Sequence, residues 1–171
     1  MKKALLSCCL IAMLCLFLSS CKKGNNDSDY YFKIKLNGNW VTYTEAYCEL
    51  GPDLGDPSLI DFVVNGGNDN ELMSVSVQSE TGSIVPGSFN TSSVSPPYYM
   101  LIDYWKISPN DIQVFGQTGP GTGNDPFYTL NITSITATEI RGNFTGNFLY
   151  DFSGDESVTI TEGEFVAQRI D

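Results

Sequence analysis

The chain has 171 residues, 42% hydrophobic and 12% aromatic, with 9 Lys+Arg against 20 Asp+Glu, no histidine and a net charge of −11. That length supports one domain with a proper core, and not comfortably two. Such an acid surplus repels nucleic acid and anionic lipid headgroups, and the missing histidine removes Ser-His and Cys-His catalysis and the usual zinc ligand sets.

Met1, Lys2 and Lys3 make a basic start. Ala4 to Leu18 is a mostly apolar run too short to span a bilayer, and Leu18-Ser19-Ser20-Cys21 follows as a small-residue cleavage point. A cysteine directly after Leu-Ser-Ser resembles the bacterial lipoprotein signal, in which the thiol is diacylated and cleavage leaves Cys21 as the new N-terminus. The resemblance implies residues 1–20 as signal peptide, 21–29 as a lipidated tether and 30–171 as the folded domain. Cys8, Cys9 and Cys15 then leave with the signal and Cys21 carries lipid. Cys48 alone remains, so no intrachain disulfide forms, and Cys48 reads as a small buried apolar residue. Without Lys2 and Lys3 the mature chain keeps seven basic side chains against 20 acidic ones, a net charge of −13. Attachment to the membrane therefore comes from the acyl chains on Cys21. The address this implies is the outer membrane, on its periplasmic or its cell-surface face. In Bacteroidota lipoproteins, charged residues just after the cysteine resemble a surface-export signal; Lys22 and Lys23 followed by Asp27 and Asp29 match it in part.

Lys22 to Asp29 has no apolar side chain and reads as flexible. From Tyr31 onward, short apolar runs alternate with turn residues. Tyr31 to Leu36 places Phe32, Ile34 and Leu36 on one face, and Asn37-Gly38 supplies the positive-φ pair of a tight hairpin. Trp40 to Tyr47 returns as strand, favoured over a helical stripe by Val41, Thr42 and Thr44. Leu59 to Asn65 and Leu72 to Gln78 form a hairpin across Gly66 to Asn70. Pro86-Gly87 marks a turn before Ser88 and Phe89. Tyr98 to Ile107, Ile112 to Phe115 and Phe127 to Thr133 are further strands, with Gly116 to Pro126 as a loop. In the next strand Gly142, Phe144, Gly146, Phe148, Tyr150 and Phe152 share a face, the glycines making room for large side chains on a neighbour. Val158 to Ile170 closes the chain. Its apolar phase slips between Ile160 and Phe165, which places a β-bulge near Gly163.

No stretch of the mature chain reads as a long amphipathic helix. The pattern predicts an all-β, single-domain antiparallel β-sandwich of about 8–10 strands, with a closed lipocalin-like β-barrel as the alternative. Arg141-Gly142-Asn143-Phe144-Thr145-Gly146 and Val158-Thr159-Ile160-Thr161-Glu162-Gly163-Glu164-Phe165 resemble closing strands of small Bacteroidota cell-envelope lipoproteins of unknown function, and Pro86-Gly87-Ser88-Phe89 resembles a turn found in them. The resemblance implies an envelope-anchored β domain and transfers no catalytic residue.

The mature body has no G-x-S-x-G and no S-x-x-K, and Gly119 to Gly123 has no helix after it to cradle a phosphate. Glu162 and Glu164, about 7 Å apart along a strand, are the carboxylate pair that a small glycosidase would need. Asn68-Asp69-Asn70-Glu71 and Asp151, Ser153, Asp155 and Glu156 are the densest oxygen clusters, where a structural calcium competes with ordinary Asx turns; neither follows the calcium-loop spacing. No cofactor is expected. Tyr98, Tyr99, Tyr104 and Trp105, behind Pro96 and Pro97, are either β core or an aromatic platform for sugar rings. The leading expectation is a non-catalytic, lipid-anchored envelope protein with a binding or structural role, its partner a glycan or an envelope protein and not nucleic acid. A surface glycan-binding lipoprotein using those aromatics is the second reading, and a carboxylate glycosidase the third.

Overall fold

A computed structural model describes residues 29–80, 82–90, 98–118, 128–151 and 155–170. The signal, Cys21 and most of the tether lie outside the described residues. The described chain is all-β, with no helix: β1 (Tyr31–Leu36), β2 (Asn39–Tyr43), β3 (Glu45–Pro52), β4 (Ile60–Asn68), β5 (Glu71–Ser79), β6 (Gly87–Asn90), β7 (Tyr98–Ser108), β8 (Asp111–Thr118), β9 (Thr129–Ile135), β10 (Glu139–Thr145), β11 (Phe148–Asp151) and β12 (Ser157–Arg169). The expected all-β, sandwich-like fold is what forms. Strands number 12 where eight to ten were expected, because the Trp40–Tyr47 run breaks at Thr44 into β2 and β3, and Gly146-Asn147 separates β11 from β10.

All strands belong to one sheet folded over on itself, in the order β11-β8-β7-β5-β4-β3-β12-β10-β9-β6, with β1 on β12 and β2 on β1. Every ladder is antiparallel except the two-residue contact of β12 with β3, where Gln168 and Arg169 meet Tyr47 and Cys48. The other end of β12 also pairs β11, through Ser157 to Thr159. β12 is thus the seam that joins both halves of the sheet.

Local sequence explains the hairpins. Asn37 and Gly38 hold φ of 48° and 83°, as a two-residue turn between β1 and β2 requires. Between β4 and β5 the turn is tighter than the sequence suggested. Gly66 and Gly67 lie inside β4, paired with Met73 and Leu72, and only Asp69 and Asn70 remain outside the strands. Asn68 Oδ1 accepts the backbone N–H groups of Asn70 (2.9 Å) and Glu71 (3.0 Å), an Asx turn that closes the loop.

The core is built from rings seated on glycines. In the β10–β12 ladder Gly142 pairs with Phe165 and Phe144 with Gly163, two successive inward rungs with the large and small partners exchanged. A Cβ at Gly142 would lie 2.5 Å from Phe165 Cζ, and one at Gly163 would clash with Cε1 and Cζ of Phe144. Gly66 seats Phe32 and Gly146 seats Tyr128 in the same way. Phe32 stacks on Phe165 with centroids 5.7 Å apart, and Phe144 lies tilted against Phe32 (5.9 Å) and Tyr128 (6.4 Å). All four rings are buried. Each contributes roughly 1.5–3 kcal/mol of apolar burial, and no Cβ fits where it rests.

The expected bulge is present. Ile34 pairs with Gly163 but Leu36 with Ile160, so β12 carries an extra residue against β1 at the Thr161–Glu162 step. β10 and β11 keep one register on β12 throughout, from Glu139↔Gln168 to Tyr150↔Ser157. They therefore change face together. Phe144 is buried before the step and Leu149 after it, while Phe148 is half-buried and Tyr150 exposed. Strict period two puts Phe148 and Tyr150 on the face of Phe144 and Leu149 on the other; the structure buries Leu149 instead, because the phase resets at Gly146-Asn147, and Phe152 lies outside the described residues.

At the other end of the interior, Glu71 takes two hydroxyl groups. Tyr104 donates to Oε1 at 2.7 Å and Tyr43 to Oε2 at 3.0 Å, which ties β2 to β5 and β7. Burial and the Glu71 charge raise both phenol pKa values above the ordinary range, so the two remain donors.

Gly142→Ala is expected to lower stability by about 1–3 kcal/mol, since the new methyl displaces Phe165. Urea unfolding measures this; an unchanged midpoint would mean that the ring does not depend on the missing Cβ.

Candidate functional site

The alternation that buries Phe62, Val64, Val75, Val77, Met100 and Ile102 turns their neighbours outward. Asp61 and Val63 (β4), Ser76 and Gln78 (β5), and Tyr99 and Leu101 (β7) therefore share an outer face. Register brings them level: Asp61 pairs with Gln78 and Gln78 with Tyr99, while Val63 pairs with Ser76 and Ser76 with Leu101. Together they line a hollow of about 340 Å³. A second hollow of about 410 Å³ adjoins it at Asp61 and Val63, bounded by Glu49 to Leu54 and by Ile170. The two form a groove across β3, β4, β5 and β7, roughly 15 Å at ordinary strand spacing. Tyr99 (44% exposed), Leu101 (38%), Ile170 (44%) and Leu54 keep large apolar surfaces open to water around it.

Asp61 stands at the junction. Its carboxyl lies beside the side chains of Gln78 and Asp53. Burial, followed by the Asp53 contact, pushes Asp61 above the usual carboxylate range. Asp53 is held below it, first by the Asp56 backbone N–H (2.6 Å to Oδ1), then by Asp61 and by the Gly55 N–H (2.8 Å). Of the two, Asp61 is therefore the carboxyl that takes up a proton first as pH falls. Asp61 Oδ1 is buried with no hydrogen-bond partner among the described residues, an orphaned acceptor where the two hollows meet.

The aromatic run of β7 does not act as one platform. Tyr104 is fully buried and spends its hydroxyl on Glu71. Tyr98 is half-buried, edge-on to Phe89 at 5.0 Å. Trp105 shares the outer face with Tyr99 but lies roughly 20 Å further along the strand, half-buried and paired with Leu72 and Val114. Only Tyr99 meets the groove. Strand parity separates Tyr99 from Tyr98 and Tyr104. That Asp61 and Gln78 join Tyr99 needed the strand order β4-β5-β7, which no local pattern carries.

The remaining candidates are also placed. Cys21 and Ser153 lie outside the described residues. Of the first oxygen cluster, Asn68 closes the turn and Glu71 is taken by two tyrosines. In the second, Asp151 Oδ1 accepts the Glu156 N–H at 3.2 Å while Glu156 accepts from Gln113 at 2.7 Å. Among the described residues no three Asp, Glu, Cys or His side chains gather as a metal site. Glu162 and Glu164 do share an outer face, each engaged by a lysine: Lys35 at 2.8 Å and Lys33 at 3.2 Å. Cys48 is buried.

Comparison with protein-family models, with curated proteins and with solved structures gives no match to this chain.

Beside the groove, Asp103 sits between Ser74 and Gly116, and burial alone raises its pKa. The folded state then binds this proton more tightly than the unfolded chain does, so the penalty is absent below the ordinary carboxylate value and grows as pH rises through the raised one. Asp103→Asn should melt at a higher temperature than wild type at about pH 7 and converge with it near about pH 3. Parallel melting curves across that range would show that Asp103 ionises freely in the fold.

Proposed function

We propose that this chain is a non-catalytic envelope domain, held at the outer membrane by lipid on Cys21, whose folded body binds neutral glycan in the groove across β3, β4, β5 and β7. The single observation behind the ligand class is the mixture of surfaces in that groove. A partly exposed Tyr99 ring and Leu101 lie beside Val63 at the floor, next to the Asp61–Gln78 pair and the Ser76 hydroxyl. A sugar ring has an apolar face that packs on such a surface and hydroxyl groups that both donate and accept, and a few placed polar groups then orient it. A neutral ligand is not repelled by a chain of net charge −13, whereas an anionic polymer is.

The non-catalytic reading draws on the lysines that occupy Glu162 and Glu164. A glycosidase needs one carboxyl free to donate a proton and another free to attack or activate water, and both of these are engaged.

The test is calorimetric titration of the mature domain with soluble neutral polysaccharides (β-glucan, arabinoxylan, galactomannan and dextran), with polygalacturonate as the anionic control. At least one neutral polymer is expected to bind, and Tyr99→Ala to weaken it roughly tenfold or more with the urea midpoint unchanged. Binding that ignores Tyr99→Ala, or no heat with any neutral polymer, overturns the groove assignment.

A further inference from the structure

The outer face of β2, β1, β12 and β10 holds a second built surface, centred on Trp40. The indole follows the Asn37-Gly38 turn on β2 and keeps 47% of its surface exposed. Register sets polar side chains beside it in two rows. Lys33 lies between Thr42 and Glu164, with Asn143 beyond; Trp40 pairs with Lys35, and Glu162 with Thr145. The lysines are fixed from both sides. Lys33 Nζ lies 4.5 Å from the Trp40 ring centroid and 3.2 Å from Glu164 Oε1, and Lys35 Nζ lies 5.9 Å from the ring and 2.8 Å from Glu162 Oε1. Lys33, Trp40, Asn143, Thr145, Glu162 and Glu164, with Phe144 and Gly163 between them, bound a hollow of about 380 Å³.

Stability does not account for this arrangement. Partly exposed ion pairs contribute about 0–1 kcal/mol each, and an indole half in water forgoes much of its apolar burial. What the pairs do supply is order. Each ammonium retains donors beyond its carboxylate, each carboxylate retains lone pairs, and their rotamers are already settled, which cuts the entropy lost on binding. The patch is also charge-balanced, two lysines against two glutamates, on a chain that is otherwise strongly acidic.

We infer that Trp40, with Lys33, Glu164, Glu162 and Asn143, forms a second saccharide-binding site that takes a neutral pyranose ring on the indole. A balanced patch gives no net attraction to a charged ligand. Interleaved donors and acceptors around a flat aromatic face suit a ring with an apolar face and a rim of hydroxyl groups. The site shares its ligand class with the groove reading but stands on different residues of a different face.

The protein has two tryptophans, so fluorotryptophan labelling gives two fluorine NMR signals, assigned with Trp40→Phe. During titration with the same neutral polysaccharides the Trp40 signal is expected to shift, and Trp40→Ala to weaken that binding roughly tenfold with the melting temperature retained. Lys33→Met is expected to reduce it while leaving the indole in place. A Trp40 signal unmoved by every neutral polymer, or Trp40→Ala binding as wild type, overturns the inference. The two sites separate in one experiment: with Tyr99→Ala a Trp40 shift that persists assigns binding here, and Tyr99-dependent binding with a silent Trp40 leaves the groove alone.

Discussion

Four aromatic rings resting on four glycines set the constraint on which this fold depends. Phe165 needs Gly142, Phe144 needs Gly163, Phe32 needs Gly66 and Tyr128 needs Gly146. The seats are exclusive, since a methyl group at any of them would occupy space the ring already fills. They also span the molecule. Phe32 comes from β1 and rests on β4, while Phe144 and Phe165 cross the β10–β12 ladder in opposite directions. This exchange lets β12 stay tightly paired at the point where its inward face changes, and a seam of that kind allows one strand to serve both halves of the sheet.

The same packing directs function to the exterior. Phe32, Phe62, Tyr104, Phe115, Tyr128, Phe144 and Phe165 are buried together with the aliphatic residues around them, and the hollows on β3, β4, β5 and β7 and around Trp40 lie on outer faces. Those faces differ in character. The groove is partly apolar and carries two neighbouring carboxyl groups, Asp61 and Asp53, where its two hollows meet; the Trp40 surface is a charge-balanced polar lattice with one exposed ring. Each is a consequence of strand order, since neither set of side chains is contiguous in sequence.

Period-two alternation, the Asn37-Gly38 turn and the glycine–aromatic strand made the all-β class, most strand positions and the ring-on-glycine packing legible from the sequence. The slip between Ile160 and Phe165 likewise pointed to the bulge. The break at Thr44 was not legible, because nothing in Trp40 to Tyr47 marks where one strand stops pairing β1 and the next begins pairing β4. Leu149 was misplaced because its burial follows from a partner, Val158, on the far side of the phase change. Of the aromatic candidates, parity alone divides Tyr99 from Tyr104. The companions of Tyr99, Asp61 and Gln78, come from separate strands whose adjacency is a non-local property. Trp40 was read only as part of a strand, and its value as a surface depends on Lys33, Lys35, Glu162 and Glu164 arriving from β1 and β12.

A double-mutant cycle on Gly142 and Phe165 probes the central packing claim most directly. Gly142→Ala and Phe165→Leu are each destabilising alone. If the ring rests on the missing Cβ, the double variant recovers part of the loss, with a coupling of about 1 kcal/mol or more in urea unfolding. Strictly additive losses would contradict it, and would mean that ring and glycine are neighbours without being seat and occupant.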